Sequence, residues 1–238
     1  MTTLEWAIAL VAVFAGACAQ GAIGFGLGTV AAPVLAITDD DFIPGPLLLV
    51  ALVLTCLVAV RERGGLDWRG LKWAIVGRVP GSILGTMAVV VLPDRGLIVL
   101  FAILVLTGVL LSVAGWHVRP TSATLASAGA LSGFMGSITS IGGPPMGLVY
   151  QHRKGPELRA TLAAFFVFGS ALSIALLVIA GEMHAVDFRR AGLLLPAMLL
   201  GFAASFPLSS VLDRGYLRPA LLAFSGSTAA LLLVLELT

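Results

Sequence analysis

Along this chain the apolar runs are long, and polar positions fall into short connections between them. A helix that spans a bilayer needs roughly 20 predominantly apolar residues. Six runs meet that requirement: residues 43–60, 71–92, 97–116, 160–180, 188–212 and 217–237. Two further apolar regions, 4–37 and 124–150, are interrupted by glycine and proline. At 34 residues, the first is too long for one ordinary span and too short for two. Each interrupted region therefore predicts a helix, a break, and a shorter return or continuation. Trp6, Trp68, Trp73, Trp116, Tyr150 and Tyr216 fall at segment ends, where the interfacial preference of Trp and Tyr sets helix boundaries.

The breaks are duplicated. The first reads Gly21-Ala22-Ile23-Gly24-Phe25-Gly26-Leu27-Gly28, followed by Pro33. The second reads Gly133-Phe134-Met135-Gly136, then Ile141-Gly142-Gly143-Pro144-Pro145. Gly21 and Gly133, Gly24 and Gly136, and Pro33 and Pro145 are each 112 residues apart. A broken helix at membrane depth exposes backbone N–H and C=O groups, which persist only where protein or a water-filled cavity satisfies them. Paired breaks in the two halves of a membrane chain point to the binding site of a transporter. The alternative reading of the glycines is close helix packing, because Gly24 and Gly28, Gly81 and Gly85, and Gly129 and Gly133 share the Gly-x-x-x-Gly spacing. For Gly81, Gly85 and Gly129 packing is the expected role.

Composition agrees with a bilayer as solvent. Hydrophobic residues make up 59% of the 238-residue chain, charged residues 11%, and mean hydropathy is +1.07. A soluble domain carries about 25% charged residues, so this chain lacks the charge to cover a solvated surface. The net charge of +2 argues against a nucleic-acid partner. The segment before the first apolar run has no Lys or Arg, whereas a secretory leader needs a positive n-region; the first run is expected to be retained. Cys18 and Cys56 lie within apolar segments and read as small packing residues. His117, His152 and His184 share no ligand spacing. No catalytic residue, metal or cofactor is expected.

Lys and Arg decide how the broken regions count. If both cross fully, these residues divide seven to six between the faces and set no orientation. If both re-enter, Arg61, Arg63, Arg69, Lys72, Arg119, Arg153, Lys154, Arg159, Arg214 and Arg218 share one face against Arg95, Arg189 and Arg190. The positive-inside rule favours this ten-to-three split. It puts 61–72 and 155–159 in the cytoplasm and Asp39-Asp40-Asp41 outside. A return limb over 29–37 would cover roughly 13 Å as helix and needs help from the segment after it. The repeat extends further: Leu66-Asp67-Trp68-Arg69 matches Val186-Asp187-Phe188-Arg189, and Gly81 matches Gly201, both at 120 residues. The predicted fold is an all-α polytopic membrane protein with one membrane domain, 1–238. It is built of two inverted repeats, 4–116 and 122–237, each a broken or re-entrant helix plus three transmembrane helices.

At this point the residues resemble a known family. Gly24-Phe25-Gly26-Leu27-Gly28-Thr29-Val30-Ala31-Ala32-Pro33, the segment 133–145, Asp67-Trp68 and Pro80-Gly81 are similar to the sulfite exporter TauE/SafE family, over nearly the whole chain. The resemblance implies movement of sulfite, sulfoacetate or related anions across a bacterial inner membrane. It makes a small anion and the lipid bilayer the expected partners, and a homodimer a candidate assembly. One departure bears on the substrate: Gly142-Gly143-Pro144-Pro145 stands where three glycines before the proline are expected, which removes one N–H and stiffens the turn.

A broken helix offers unpaired N–H groups and a positive dipole end, which bind anions without a buried cation. Gly26, Gly28 and Thr29 are the expected donors of the first break, and Gly142 and Gly143 those of the second. Ser137, Thr139 and Ser140 would add hydroxyls and Gln20 an amide donor, with Gly24, Pro33 and Pro144 shaping the breaks. Arg78 is the one cation inside a span. It either faces the pathway or snorkels to the nearby surface. No Asp or Glu lies at membrane depth in this reading. A polytopic assembly or receptor subunit is the competing function.

Overall fold

A computed structural model describes residues 2–62, 64–113, 118–150, 153 and 155–212. Among them are nine α-helices and no strand: α1 (Thr3–Ile23), α2 (Leu27–Thr38), α3 (Gly45–Arg61), α4 (Trp68–Val91), α5 (Asp94–Val113), α6 (Ser122–Thr139), α7 (Gly143–Tyr150), α8 (Gly155–Ala180) and α9 (Ala185–Leu212). Five described stretches are long and apolar enough to cross a membrane: Thr3–Ile23, Asp40–Arg61, Trp68–Val91, Gly155–Ala180 and Ala185–Ser209. The chain is an all-α, multi-pass membrane protein. Its outer surface carries large apolar side chains such as Val91, Ile179 and Leu200, a surface suited to lipid. The expected span 217–237, with Tyr216, lies outside the described residues, and so does Trp116.

The first broken region is a hairpin. Thr2 and Glu5 close a capping box at the start of α1, and Gly24 ends the helix at φ 103°, a left-handed conformation that suits glycine. The chain then turns back, so that a Cβ on Gly16 would lie 2.9 Å from the carbonyl oxygen of Leu27. The return limb begins at Leu27, earlier than expected, and its 12 residues cover about 18 Å. A 3-10 turn, Asp40–Phe42, completes the return. Phe42 meets Trp6 edge-on at 5.6 Å between ring centres, so the hairpin ends beside its own entry.

The second region repeats this form. A Thr121–Thr124 capping box starts α6, and Ser140 ends it at φ 59°. The eight residues of α7 lead back to Tyr150, which packs in one core cluster with Leu125, from the start of α6. Tyr150 ends α7, as its place at a segment end predicts, but faces protein and not the surroundings. It is fully buried, and its hydroxyl donates to Asp67 at 3.1 Å.

Close crossings hold the two hairpins. Gly77, Gly81 and Gly85 of α4 face Ala126, Ala130 and Phe134 of α6; both series advance by four, so the helices run parallel. Gly201 of α9 approaches Phe14 of α1, and Gly21 approaches Ser205, again in parallel. The matched glycines Gly81 and Gly201 thus serve equivalent crossings, and α3 packs against α8 between them. Small residues let such backbones touch. A Cβ on Gly81 would overlap the carbonyl oxygen of Ala130, and one on Gly129 that of Ala74. Overpacking of this kind costs about 1–3 kcal/mol. Gly81→Ala and Gly129→Ala should each lower the melting temperature and the monodisperse yield. Gly192→Ala, with open space around its Cβ, should change neither.

Candidate functional site

The two hairpins meet at their breaks. A Cβ on Gly28 would overlap the carbonyl oxygen of Ser140, and one on Gly143 would lie 2.7 Å from the ring of Phe25. The Ser140 hydroxyl donates to the carbonyl of Pro44 at 3.1 Å. Between them is a cavity of about 30 Å³, above the roughly 10–15 Å³ that a single water needs. Eight of the expected residues line it: Gln20, Gly26, Gly28, Thr29, Arg78, Ser140, Gly142 and Gly143. Phe25, Leu48, Ala51, Thr55, Gly136, Ile141, Phe166 and Ser170 complete the wall. None of these described residues is acidic.

The other expected residues lie apart from the cavity. Gly24 packs on Arg159 and Leu162 at the first tip. Pro33 is buried inside α2, and Pro144 in the first turn of α7. The Ser137 hydroxyl is 2.8 Å from that of Ser173. Thr139 donates its hydroxyl to Met135 and accepts from the N–H of Ile141. Thr55 and Ser170 were not among the expected residues, although each is a hydroxyl inside an apolar span, and that polarity was the available signal.

Arg78 sits ten residues into the 24-residue α4, near its middle. It is 2% exposed, so it turns into the bundle and does not snorkel. Its Nη1 donates to the carbonyl and the hydroxyl of Ser132, at 3.1 and 2.9 Å. The Ser132 hydroxyl in turn donates to the carbonyl of Gly142 at 2.5 Å, so one arginine ties α4 to α6 and to the second break. The guanidinium lies over the ring of Phe165 at 5.2 Å, an attractive cation–π geometry. Its Nε has no hydrogen-bond partner, and a buried donor of that kind calls for an acceptor.

Backbone accounting narrows the donors. In the first break the N–H of Leu27 donates to the Gln20 side-chain carbonyl at 3.0 Å. Gln20 therefore caps α2 with its oxygen, and only its NH₂ end is left to serve as the expected donor. The first i→i−4 bond of α2 runs from Val30 to Gly26, which puts Gly28 in the first turn, where helix N–H groups lack intrahelical acceptors. The Thr29 hydroxyl donates back to Gly26 at 2.9 Å. In the second break Pro144 and Pro145 carry no N–H, and the Ile141 N–H is taken by Thr139. That leaves the amides of Gly142 and Gly143.

Every break also carries the negative end of the arriving helix. At the end of α1 this end is met by two arginines: Arg61 donates to the carbonyl of Gly21, and Arg159 to that of Ala22 at 3.3 Å. Glu62 pairs with both, at 3.1 and 3.0 Å. Arg61 also donates to the Ser205 hydroxyl at 3.0 Å. α1, α3, α8 and α9 are thereby closed together at the basic face. The loops 61–72 and 155–159 meet there, on one side. Counting these residues as loop charges gave no hint of this role.

The opposite face is open. A cavity of about 580 Å³ is lined by Asp40, Asp41, Glu182, His184, Asp187 and Arg190, with Pro44, Phe101 and Ile138 on its walls. Arg190 pairs with Asp41. Pro44, which accepts from Ser140, separates this vestibule from the inner cavity.

Comparison with known families matches residues 8–233 to the family described as sulfite exporter TauE/SafE. The chain belongs to this family. No curated protein and no solved structure matches it. TauE/SafE membership makes the chain a multi-pass membrane protein of a transporter family, with a small anion as its cargo class and lipid as its surroundings. The TauE/SafE match runs through both hairpins and both closing crossings.

Proposed function

We propose that the chain is a secondary transporter that exports sulfite or a small organosulfonate across a bacterial inner membrane, bound where the two helix breaks meet. The observation that carries this reading is Arg78. It is a buried cation beside a cavity whose described lining holds no acid, with one N–H unpartnered. The positive end of α2 and the amides of Gly142 and Gly143 supply further donors around the same point. A sulfonate headgroup, with three acceptor oxygens, matches convergent donors of this kind.

The two faces suggest a transport cycle. The cavity is small, about 30 Å³, and an anion enters when the hairpin tips separate. The Arg61–Glu62–Arg159 cluster closes the basic face, which the positive-inside rule assigns to the cytoplasm. The acidic vestibule would then face outward, where Asp40, Asp41, Glu182 and Asp187 disfavour an anion resting after release. One negative charge leaving with a potential of 100 mV, negative inside, gains about 2.3 kcal/mol, enough to drive export without a coupling ion. The equivalent crossings of α1 with α9 and α4 with α6, about the central α3–α8 contact, support an inverted repeat. Such repeats exchange access by rocking around a fixed site.

Proteoliposome flux with sulfite, sulfoacetate, thiosulfate and simple carboxylates tests the proposal. Saturable flux of sulfite or a sulfonate, with carboxylates carried poorly, is the expected result. Purified, folded protein that binds no anion would instead favour an assembly or receptor subunit.

A further inference from the structure

We infer that the central site accepts singly charged oxyanions and rejects doubly charged ones, so that sulfite is carried as hydrogen sulfite and a sulfonate only when the sulfonate is its one charge. This deepens the proposed function and rests on the reading of the cavity as the anion site.

The argument is a count of charge. Among the described lining residues Arg78 is the only charged or titratable group. The lining that α1, α2, α3, α6, α7 and α8 contribute is neutral: amide, hydroxyl, backbone or hydrocarbon. Phe25 and Phe166 form apolar wall, and Arg78 itself is 2% exposed. One guanidinium balances one negative charge. The dipoles at the starts of α2 and of the eight-residue α7 add about half a charge each at most. The ends of α1 and α6 bring the opposite sign to the same breaks, and Leu27, the first amide of α2, is already committed to Gln20.

No second cation lines the cavity among the described residues. Arg61 and Arg159 are held by Glu62 and by the carbonyls of Gly21 and Ala22 at the basic face. Arg190 is held by Asp41 in the vestibule. A second negative charge in the cavity would therefore be buried without a partner, and an ionisable group in that position takes up a proton instead. Sulfite can do this, because its second proton is lost near neutral pH. Sulfate and ionised sulfoacetate cannot do so at such pH.

The test is binding to purified wild-type protein, measured by calorimetry with methanesulfonate, sulfite and sulfate. Between about pH 6 and pH 8 methanesulfonate, a monoanion throughout, should bind with constant affinity. Sulfite affinity should fall about tenfold per pH unit once its second proton is lost, in step with the hydrogen sulfite fraction. Sulfate should fail to displace methanesulfonate, and sulfoacetate should bind far more weakly than methanesulfonate. Constant sulfite affinity across the range would overturn the inference while leaving the anion site in place. So would sulfate competing as well as methanesulfonate, or methanesulfonate and sulfite weakening in parallel. If none of these anions binds, the central site itself is wrong.

Discussion

Arg78→Ala is expected to remove anion binding from folded protein, with Arg78→Lys retaining part of it. A hydrogen bond to a charged group contributes about 1.5–3 kcal/mol, which is about ten- to hundredfold in affinity. Arg78 supplies the only charge in the described cavity lining, so the alanine variant should reach or exceed the upper end. Lysine restores charge but not the planar fork, and it cannot hold both Ser132 acceptors in the same geometry. The arginine also ties the second break to α4, through Ser132 and Gly142, so a loss in Arg78→Ala alone could reflect a loosened break. Ser132→Ala, which removes the hydroxyl link to Gly142 and keeps the charge, isolates the tie, and Gly169→Ala perturbs the charge from the other side. Its Cβ would lie 2.5 Å from the guanidinium carbon, which displaces the charge without deleting it. Affinity should fall in Gly169→Ala as well, read by calorimetry on monodisperse protein. Normal affinity in both Arg78 variants would reduce the residue to a packing role.

The long elements were legible because the bilayer imposes one rule on them. Runs such as 71–92 and 188–212 predict α4 and α9 to within a few residues at each end, since every backbone group at that depth must be satisfied within a helix. The breaks were legible for the opposite reason: clusters such as Gly142-Gly143-Pro144-Pro145 cannot continue a helix. The matched glycines Gly81 and Gly201 were visible as a repeat, and the structure puts each against the long helix of a hairpin.

Hydrogen-bond partners were less legible, because they depend on which elements meet. Gln20 reads as a donor from its side chain alone, yet its oxygen is spent on Leu27 seven residues later. Ser137 and Thr139 lie in the right segment but turn to Ser173 and Met135. Tyr150 has the sequence position of an interfacial anchor, but its enclosure beside Asp67, 83 residues away, was not legible. Arg61 and Arg159 read as loop charges because their acceptors are carbonyls, which leave no mark in a sequence.

Gly28→Ala is the substitution expected to damage the site most through the backbone. Its Cβ would overlap the carbonyl oxygen of Ser140 and lie 2.9 Å from the carbonyl carbon and 3.2 Å from the Cα of Ile141. All three are main-chain atoms, so no rotamer change relieves the contact, and the hairpin tips must separate. Separation shifts the Gly28 amide relative to Gly142 and Gly143, and anion affinity should fall at least about tenfold, equivalent to about 1.4 kcal/mol. Gly142→Ala meets the Ser132 hydroxyl at 2.9 Å and Arg78 Nη1 at 3.0 Å. Those side-chain atoms can yield, and the one main-chain contact, the Ser132 carbonyl oxygen, stands at 3.1 Å, so its effect should be smaller and should act largely through Arg78. Gly129→Ala is the contrast, because it strains the α4–α6 crossing at Ala74 and away from the cavity. It should lose stability while the folded fraction binds normally. Affinity and melting temperature measured together on the three variants separate a site from a packing seam. Unchanged affinity in folded Gly28→Ala and Gly142→Ala would remove the breaks from anion binding and leave Arg78 without its backbone partners.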